Sequence, residues 1–220
     1  METNRKYDFT GETKQYGAYL LHRIIAVRDF NNVKNGDLGG WIEKEDNLSH
    51  NGDCWVAGEA KVYDNAQVFE NAKVYDNARV FSDAKVYGDA KVYGRASVYN
   101  NAQIYGNAKA YGWTEVFNDA QVYDDAKVYD DTQIFMNACV YGSAKVYGRA
   151  DIYGSAKVYG AAEVYGMAQI YSNVRVYGNA EIYDNAEVYG NAQIYGNAEI
   201  YNDRRICGDE EVDRQELKFI

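Results

Sequence analysis

The sequence predicts an all-β solenoid, and three observations carry that prediction. Residues 60–203 divide into 24 six-residue units without one insertion or deletion. Each unit reads small, variable, aliphatic, aromatic, Gly/Asp/Asn, Asn/Asp, as in "NAEIYDNAEVYGNAQIYGNAEIY" at 179–201. Proline is absent from all 220 residues, which suits central strands whose every backbone N–H enters a ladder. Self-similarity at a fixed period marks a repeat architecture. An apolar period of six matches neither turn of a helix nor a heptad, so a helical rod is excluded.

Within the unit, the first position is Ala in 21 of 24 hexads, with Thr114, Thr132 and Val174 as exceptions. The third is Val in 16 and Ile in seven, with Ala110 the one defect. The fourth is Tyr in 20 and Phe at Phe69, Phe81, Phe117 and Phe135. Strand side chains alternate between faces, so the small and aliphatic positions share the inside and the variable and aromatic positions share the outside. The last two positions use residues that tolerate positive φ and cap their own turns. Each hexad is therefore a short strand followed by a corner. Burying a Val or Ile contributes about 1.5–3 kcal/mol, so the 24 aliphatic slots supply an ample core.

The Val-x-Gly-Asn-Ala-x pattern resembles the hexapeptide repeat of left-handed parallel β-helices. That resemblance implies a triangular prism in which three hexads form one 18-residue coil, and it alone supplies the left hand. The 24 hexads then make eight coils, a prism of roughly 38 Å at about 4.8 Å per strand. Two imperfect hexads, "LSHNGD" and "CWVAGE", extend it back to Leu48 and bring the count to eight or nine coils. The aromatic residue after the aliphatic one departs from the family, where that place is small or acidic.

Residues 1–47 are expected to be an N-terminal β cap, with alternating strands and a Gly-rich turn at Gly36 to Gly40. Residues 48–203 form the β-helix, and the charged segment 204–220, where the repeat fades, forms a C-terminal cap or tail. The cap and "SHNGDCWV" together resemble uncharacterised hexapeptide-repeat proteins of bacteria and their phages, some of which carry an acyltransferase label. A net charge of -10 disfavours phosphate backbones and anionic membranes as direct partners. No apolar run reaches bilayer length and the N-terminus lacks a signal-peptide core, so a cytoplasmic location is expected. The three cysteines have no metal-type spacing, and no cofactor motif is present.

Residues 18 apart fall into columns, and the columns can be searched for departures. Tyrosines line every face; they read either as a structural ladder or as a platform for sugar rings or bases, and the equal treatment of all faces favours the ladder. One face carries Lys73, Lys91, Lys109, Lys127 and Lys145, then Glu163, Glu181 and Glu199. These are solvated charges that blunt a flat β-surface, or the contacts of an antiparallel two-fold dimer in which Lys73, Lys91 and Lys109 meet Glu199, Glu181 and Glu163 of a second copy. Two corners alternate Asn and Asp, as in Asn65, Asp83, Asn101, Asp119 and in Asn71, Asp89, Asn107, Asp125, which spaces the carboxylates apart.

The third corner runs Asn77, Arg95, Trp113, Asp131, Arg149, Met167, Asn185, Asp203. Trp flanked by Arg is the composition of protein-binding hot spots. With Phe117, Phe135 and Met136 on the next face, this edge is the candidate partner surface. A large side chain covering the Ala110 defect is the alternative explanation.

Acyltransferases of the resembling fold use a histidine beside a coil and a protruding loop. Here His22 and His50 both lie in or near the cap, His50 in an inward slot of "LSHNGD", and nothing interrupts the hexads. No catalytic residue is assigned. The reading is a non-catalytic scaffold that binds a protein partner or itself; an acidic nucleic-acid mimic that inhibits a host enzyme and a degenerate acyltransferase are its rivals.

Overall fold

In the computed structural model, which describes residues 5–214, the inter-coil register is 18 residues throughout the repeat, as in Lys91↔Lys109 and Val92↔Ala110. From Trp55–Val56 to Glu211–Val212 each hexad supplies one two-residue strand, made of its variable and aliphatic positions. Three consecutive strands lie in three different sheets, so a coil has three sides. Among the described residues one sheet has twelve strands and the other two have nine each. We number the faces one, two and three by the strands Lys61–Val62, Gln67–Val68 and Lys73–Val74. Backbone bonds between coils are regular, for example Lys91 N to Ala108 O at 2.9 Å and Tyr93 N to Ala110 O at 3.0 Å.

The inside is as the alternation predicts. Every small and aliphatic slot from Ala60 to Ile200 is at most 1 % exposed, including Ala110, Thr114, Thr132 and Val174. The two buried threonines satisfy each other: their Oγ1 atoms are 3.0 Å apart, and each hydroxyl also faces a carbonyl, Tyr111 O or Tyr129 O.

Outside, the rings stack as ladders on all three faces. Successive centroids along the repeat are 4.7 Å (Tyr93–Tyr111) to 5.3 Å (Tyr183–Tyr201) apart, with rings within 13° of parallel. The ring spacing therefore follows the strand spacing. Several hydroxyls reach one coil up, as Tyr105 donates to Gln121 Oε1 at 3.2 Å and Tyr165 to Glu181 Oε2 at 3.2 Å.

Corners use positive φ at the fifth position whatever the residue: Asp76 has φ 60°, Gly94 69° and Asp130 64°. At Glu70, Asp76, Asp124, Asp130 and Asp184 the carboxylate accepts the backbone N–H one coil up, as Asp76 does from Gly94 (3.1 Å) and Glu70 from Gly88 (2.8 Å). At the sixth position the Asn side chain donates to the Asp above it: Asn65 to Asp83 (3.2 Å), Asn101 to Asp119 (2.9 Å), Asn71 to Asp89 (3.1 Å), Asn107 to Asp125 (3.0 Å). The alternation thus does more than space carboxylates. It gives each one an amide donor.

The cap is a hairpin of β1 (Tyr7–Tyr16) and β2 (Tyr19–Ala26), followed by β3 (Leu38–Ile42), which pairs antiparallel with β2 and parallel with Lys61–Val62. β3 is thus already a rung of the coil. At the other end Arg205 pairs with Glu187 and Glu211 with Gln193, so the ladder runs past residue 203 although the composition changes there. The first face consequently has ten parallel rungs beyond the β1–β2 hairpin, about ten turns.

Two local expectations are corrected. Gly39 and Gly40 belong to β3 and not to a turn; a Cβ on Gly39 would lie 2.4 Å from Ile24 Cγ1, and one on Gly40 2.7 Å from Val56 Cγ1. Glycine is required there by close packing of the hairpin on the coil end. Nor does His50 occupy an inward slot. Leu48 pairs with Val68, an offset of 20, whereas Trp55 pairs with Lys73 at the usual 18, so two surplus residues bulge between them. His50 stands on that bulge, stacked on Tyr7 with centroids 4.2 Å apart, and its Nδ1 accepts the Lys6 N–H.

Burial raises the pKa of several ladder phenols, to about 12 at Tyr75, Tyr99, Tyr111 and Tyr123. The unfolded chain titrates near 10, so it releases protons that the folded ladder retains. The stability held by these neutral phenols is complete below about pH 10 and is lost as pH rises toward 12. Urea midpoints are therefore expected to be unaffected by these phenols up to about pH 9 and to fall steeply above 10; a midpoint insensitive to pH from 10 to about 12 contradicts the account.

Candidate functional site: an aromatic corner on a regular rod

Two corners repeat small polar residues with little variation, and the corner between faces three and one does not. Its side chains follow one another up the rod because each backbone amide bonds one coil ahead, as Arg95 N does to Gly112 O (2.7 Å) and Trp113 N to Asp130 O (2.6 Å). The Arg95 guanidinium lies over the Trp113 ring at 4.4 Å from its centroid. Trp113 is 59 % exposed and Met167, three coils further on, is 56 % exposed. Between them Arg149 Nε pairs with Asp131 Oδ2 at 3.7 Å. Arg95, Trp113, Arg149 and Met167 thus share one edge.

The other residues of the sequence-based patch lie on the adjoining face and beyond it. Phe117 and Phe135 are rungs of the face-one ladder, between Tyr99 and Tyr153, with centroid spacings of 4.9, 5.0 and 4.8 Å. Met136 is 45 % exposed but sits on the far corner of face one, beside Asn118 and Asn137. The patch is an edge plus the adjoining face. Ala110 is fully buried, and an indole left more than half exposed is not consumed in covering it.

Face three bears the lysine column in the predicted order, Lys73, Lys91, Lys109, Lys127, Lys145 and then Glu163, Glu181, Glu199. Where the sign changes, Lys145 Nζ bonds Glu163 Oε1 at 2.7 Å within the chain. Lys73 is also engaged, donating to the Asp53 carbonyl at 2.6 Å, and burial lowers its pKa. Of the three lysines assigned to a dimer contact, Lys91 and Lys109 stand further along the open face.

The histidines lie in the cap region. His22, on β2, packs against Phe9 with ring centroids 5.1 Å apart. Burial lowers the His50 pKa. Nearby, Lys6 is fully buried and donates from Nζ to Gly52 O (3.2 Å) and Cys54 Sγ (3.0 Å); burial lowers its pKa and raises that of the thiol.

A cleft of about 580 Å³ between the 28–37 loop and the start of face three was missed by the column search. Its one sequence signal is Ala57, which occupies the aromatic slot of "CWVAGE".

Residues 192–208, the end of the rod, match the model of the YdcK beta solenoid repeat. The repeat is similar to that of YdcK. Over 37 residues the chain is 51 % identical to the "Uncharacterized acetyltransferase YdcK" of Escherichia coli (strain K12). That stretch is 17 % of this chain and 11 % of the YdcK protein, so the similarity spans about a tenth of the relative's length.

A packing role and a binding role for Trp113 differ in their energetic cost. Because Trp113 is mostly exposed, Trp113→Ala is expected to lower stability by no more than about 1 kcal/mol, the worth of its cation–π contact. Trp55 is 6 % exposed, and Trp55→Ala is expected to cost about 3–5 kcal/mol. Chemical denaturation of both variants checks the contrast.

Proposed function

We propose that the chain is a rigid, non-catalytic rod that holds a protein partner along the corner between faces three and one. The observation that carries this reading is the exposed Trp113 under Arg95, on a molecule whose other corners, Met136 apart, carry small or polar residues. An aromatic anchor with an adjacent guanidinium provides most of the energy in protein interfaces, while the ring of contacts around it excludes water. The ladder supports the role mechanically: two coils separate Trp113 from Arg149 and three separate it from Met167, so their spacing is set by the backbone. The acidic balance of the chain favours a partner with a basic rim.

The name borne by the YdcK relative favours acyl transfer as a second reading. It requires a general base beside a bound thioester. His50 has Nδ1 engaged by a backbone amide, so its Nε2 is the nitrogen that this residue could offer to such a role.

Affinity capture with the full chain, compared with Trp113→Ala and Arg95→Ala, tests the first reading. The expected result is a partner retained by the parent and lost, by about tenfold or more in affinity, from both variants. Retention by both sinks the reading. Heat on titration with acetyl-CoA, abolished in His50→Ala, would move the assignment to acyl transfer.

A further inference from the structure

Along each face every internal ring of the ladder is sandwiched by the rings one coil above and below, so what covers the first ring matters. On face one the lowest ring, Tyr63, is covered by the cap: Tyr19 lies 4.8 Å and Tyr16 5.7 Å from it, centroid to centroid. On face three the lowest ring is Tyr75, stacked on Tyr93 at 4.8 Å on its upper side. Below it the register Trp55↔Lys73, Val56↔Val74 places Ala57, a methyl group where 24 successive hexads carry a ring. The missing ring leaves a slot one coil high, and that slot opens into the cleft beneath the 28–37 loop.

We propose that this slot binds one pyranose ring of a neutral sugar, seated on the open face of Tyr75. The ladder's own rings repeat at the strand spacing, so a ring seated at the height of Ala57 would stack on Tyr75 as Tyr93 does on its other side. One wall is apolar and immobile: Trp55, 6 % exposed, is held edge-on by Phe30 with centroids 5.4 Å apart.

The remaining lining is polar and fixed. Asp53 accepts from the Asn31 side chain at 3.5 Å, and Asn71 donates to Asp89 Oδ1 at 3.1 Å. Two carboxylates, Asp53 and Asp89, face two ammonium groups, Lys73 and Lys91, so the cleft has no net charge to select an anion or a cation. Alternating donors and acceptors around an aromatic floor suit hydroxyls, each of which donates once and accepts twice. The apolar C–H face of a pyranose suits the floor itself. A flat heteroaromatic ring would satisfy the floor but bring few hydroxyls to the polar rim.

The test fills the slot. Saturation-transfer NMR on the full chain uses the methyl glycosides of glucose, galactose and mannose, with N-acetylglucosamine, and takes adenosine and indole as flat aromatic probes. The expected result is transfer to at least one sugar at millimolar concentration, and to neither aromatic probe more strongly. Ala57→Phe, which extends the ladder into the slot, is expected to abolish it. The double variant Asn31→Ala/Asn32→Ala alters only exposed loop residues and is expected to weaken binding about fivefold or more. No transfer to any sugar, undiminished binding in either variant, or preference for adenosine or indole overturns the proposal.

Discussion

The structure depends on one constraint: in the repeat, every residue lies directly beside the residue 18 positions away. Parallel pairing of successive coils imposes it, and its consequence is that a side chain's nearest neighbour is its own counterpart. Like groups must therefore tolerate like groups. Rings do so by stacking, and amides by donating to the next amide or carboxylate, as Asn173 does to Asn191 at 3.0 Å. Alanine and valine do so by filling the interior in layers. Charges do so poorly, and the corners answer with Asn below Asp, so that each carboxylate meets a donor.

The same constraint makes departures conspicuous. A uniform column stabilises the rod and offers no particular place to bind, whereas a break presents a unique surface at a fixed height. Arg95 over Trp113 is such a break, and Ala57 beneath Tyr75 is another. The first protrudes and suits a macromolecular surface; the second is recessed, walled by the cap, and suits a small molecule. Both are held on a backbone whose geometry is set by the ladder on either side.

The ends obey different physics from the middle. An open coil exposes unpaired strand groups, and the N-terminal end is closed by β3 and by the β1–β2 hairpin. Lys14 and Arg23 clamp that closure by pairing with Glu59 at 3.1 and 3.2 Å while flanking the Trp41 ring. At the other end the inward slots of Arg204 and Glu210 are exposed, and Ile206 is the last fully inward aliphatic side chain described.

The sequence by itself determined the slot of each residue in the repeat: Val and Ile inward, tyrosines outward, corners at every Gly/Asp/Asn pair, and the columns that contain Arg95, Trp113 and the lysines. It could do so because a strict period converts position along the chain into position in space. Where the period fails, that conversion fails with it. The two surplus residues before Trp55 moved His50 from an interior slot to a bulge, and Gly39 and Gly40 became a packed strand because hairpin and coil approach too closely for a Cβ. Tertiary structure alone decided that the 28–37 loop faces Ala57 across a cleft, since that juxtaposition joins segments bound by no repeat. It also placed Met136 across face one from Trp113, a distance that the width of a strand sets and that sequence proximity conceals.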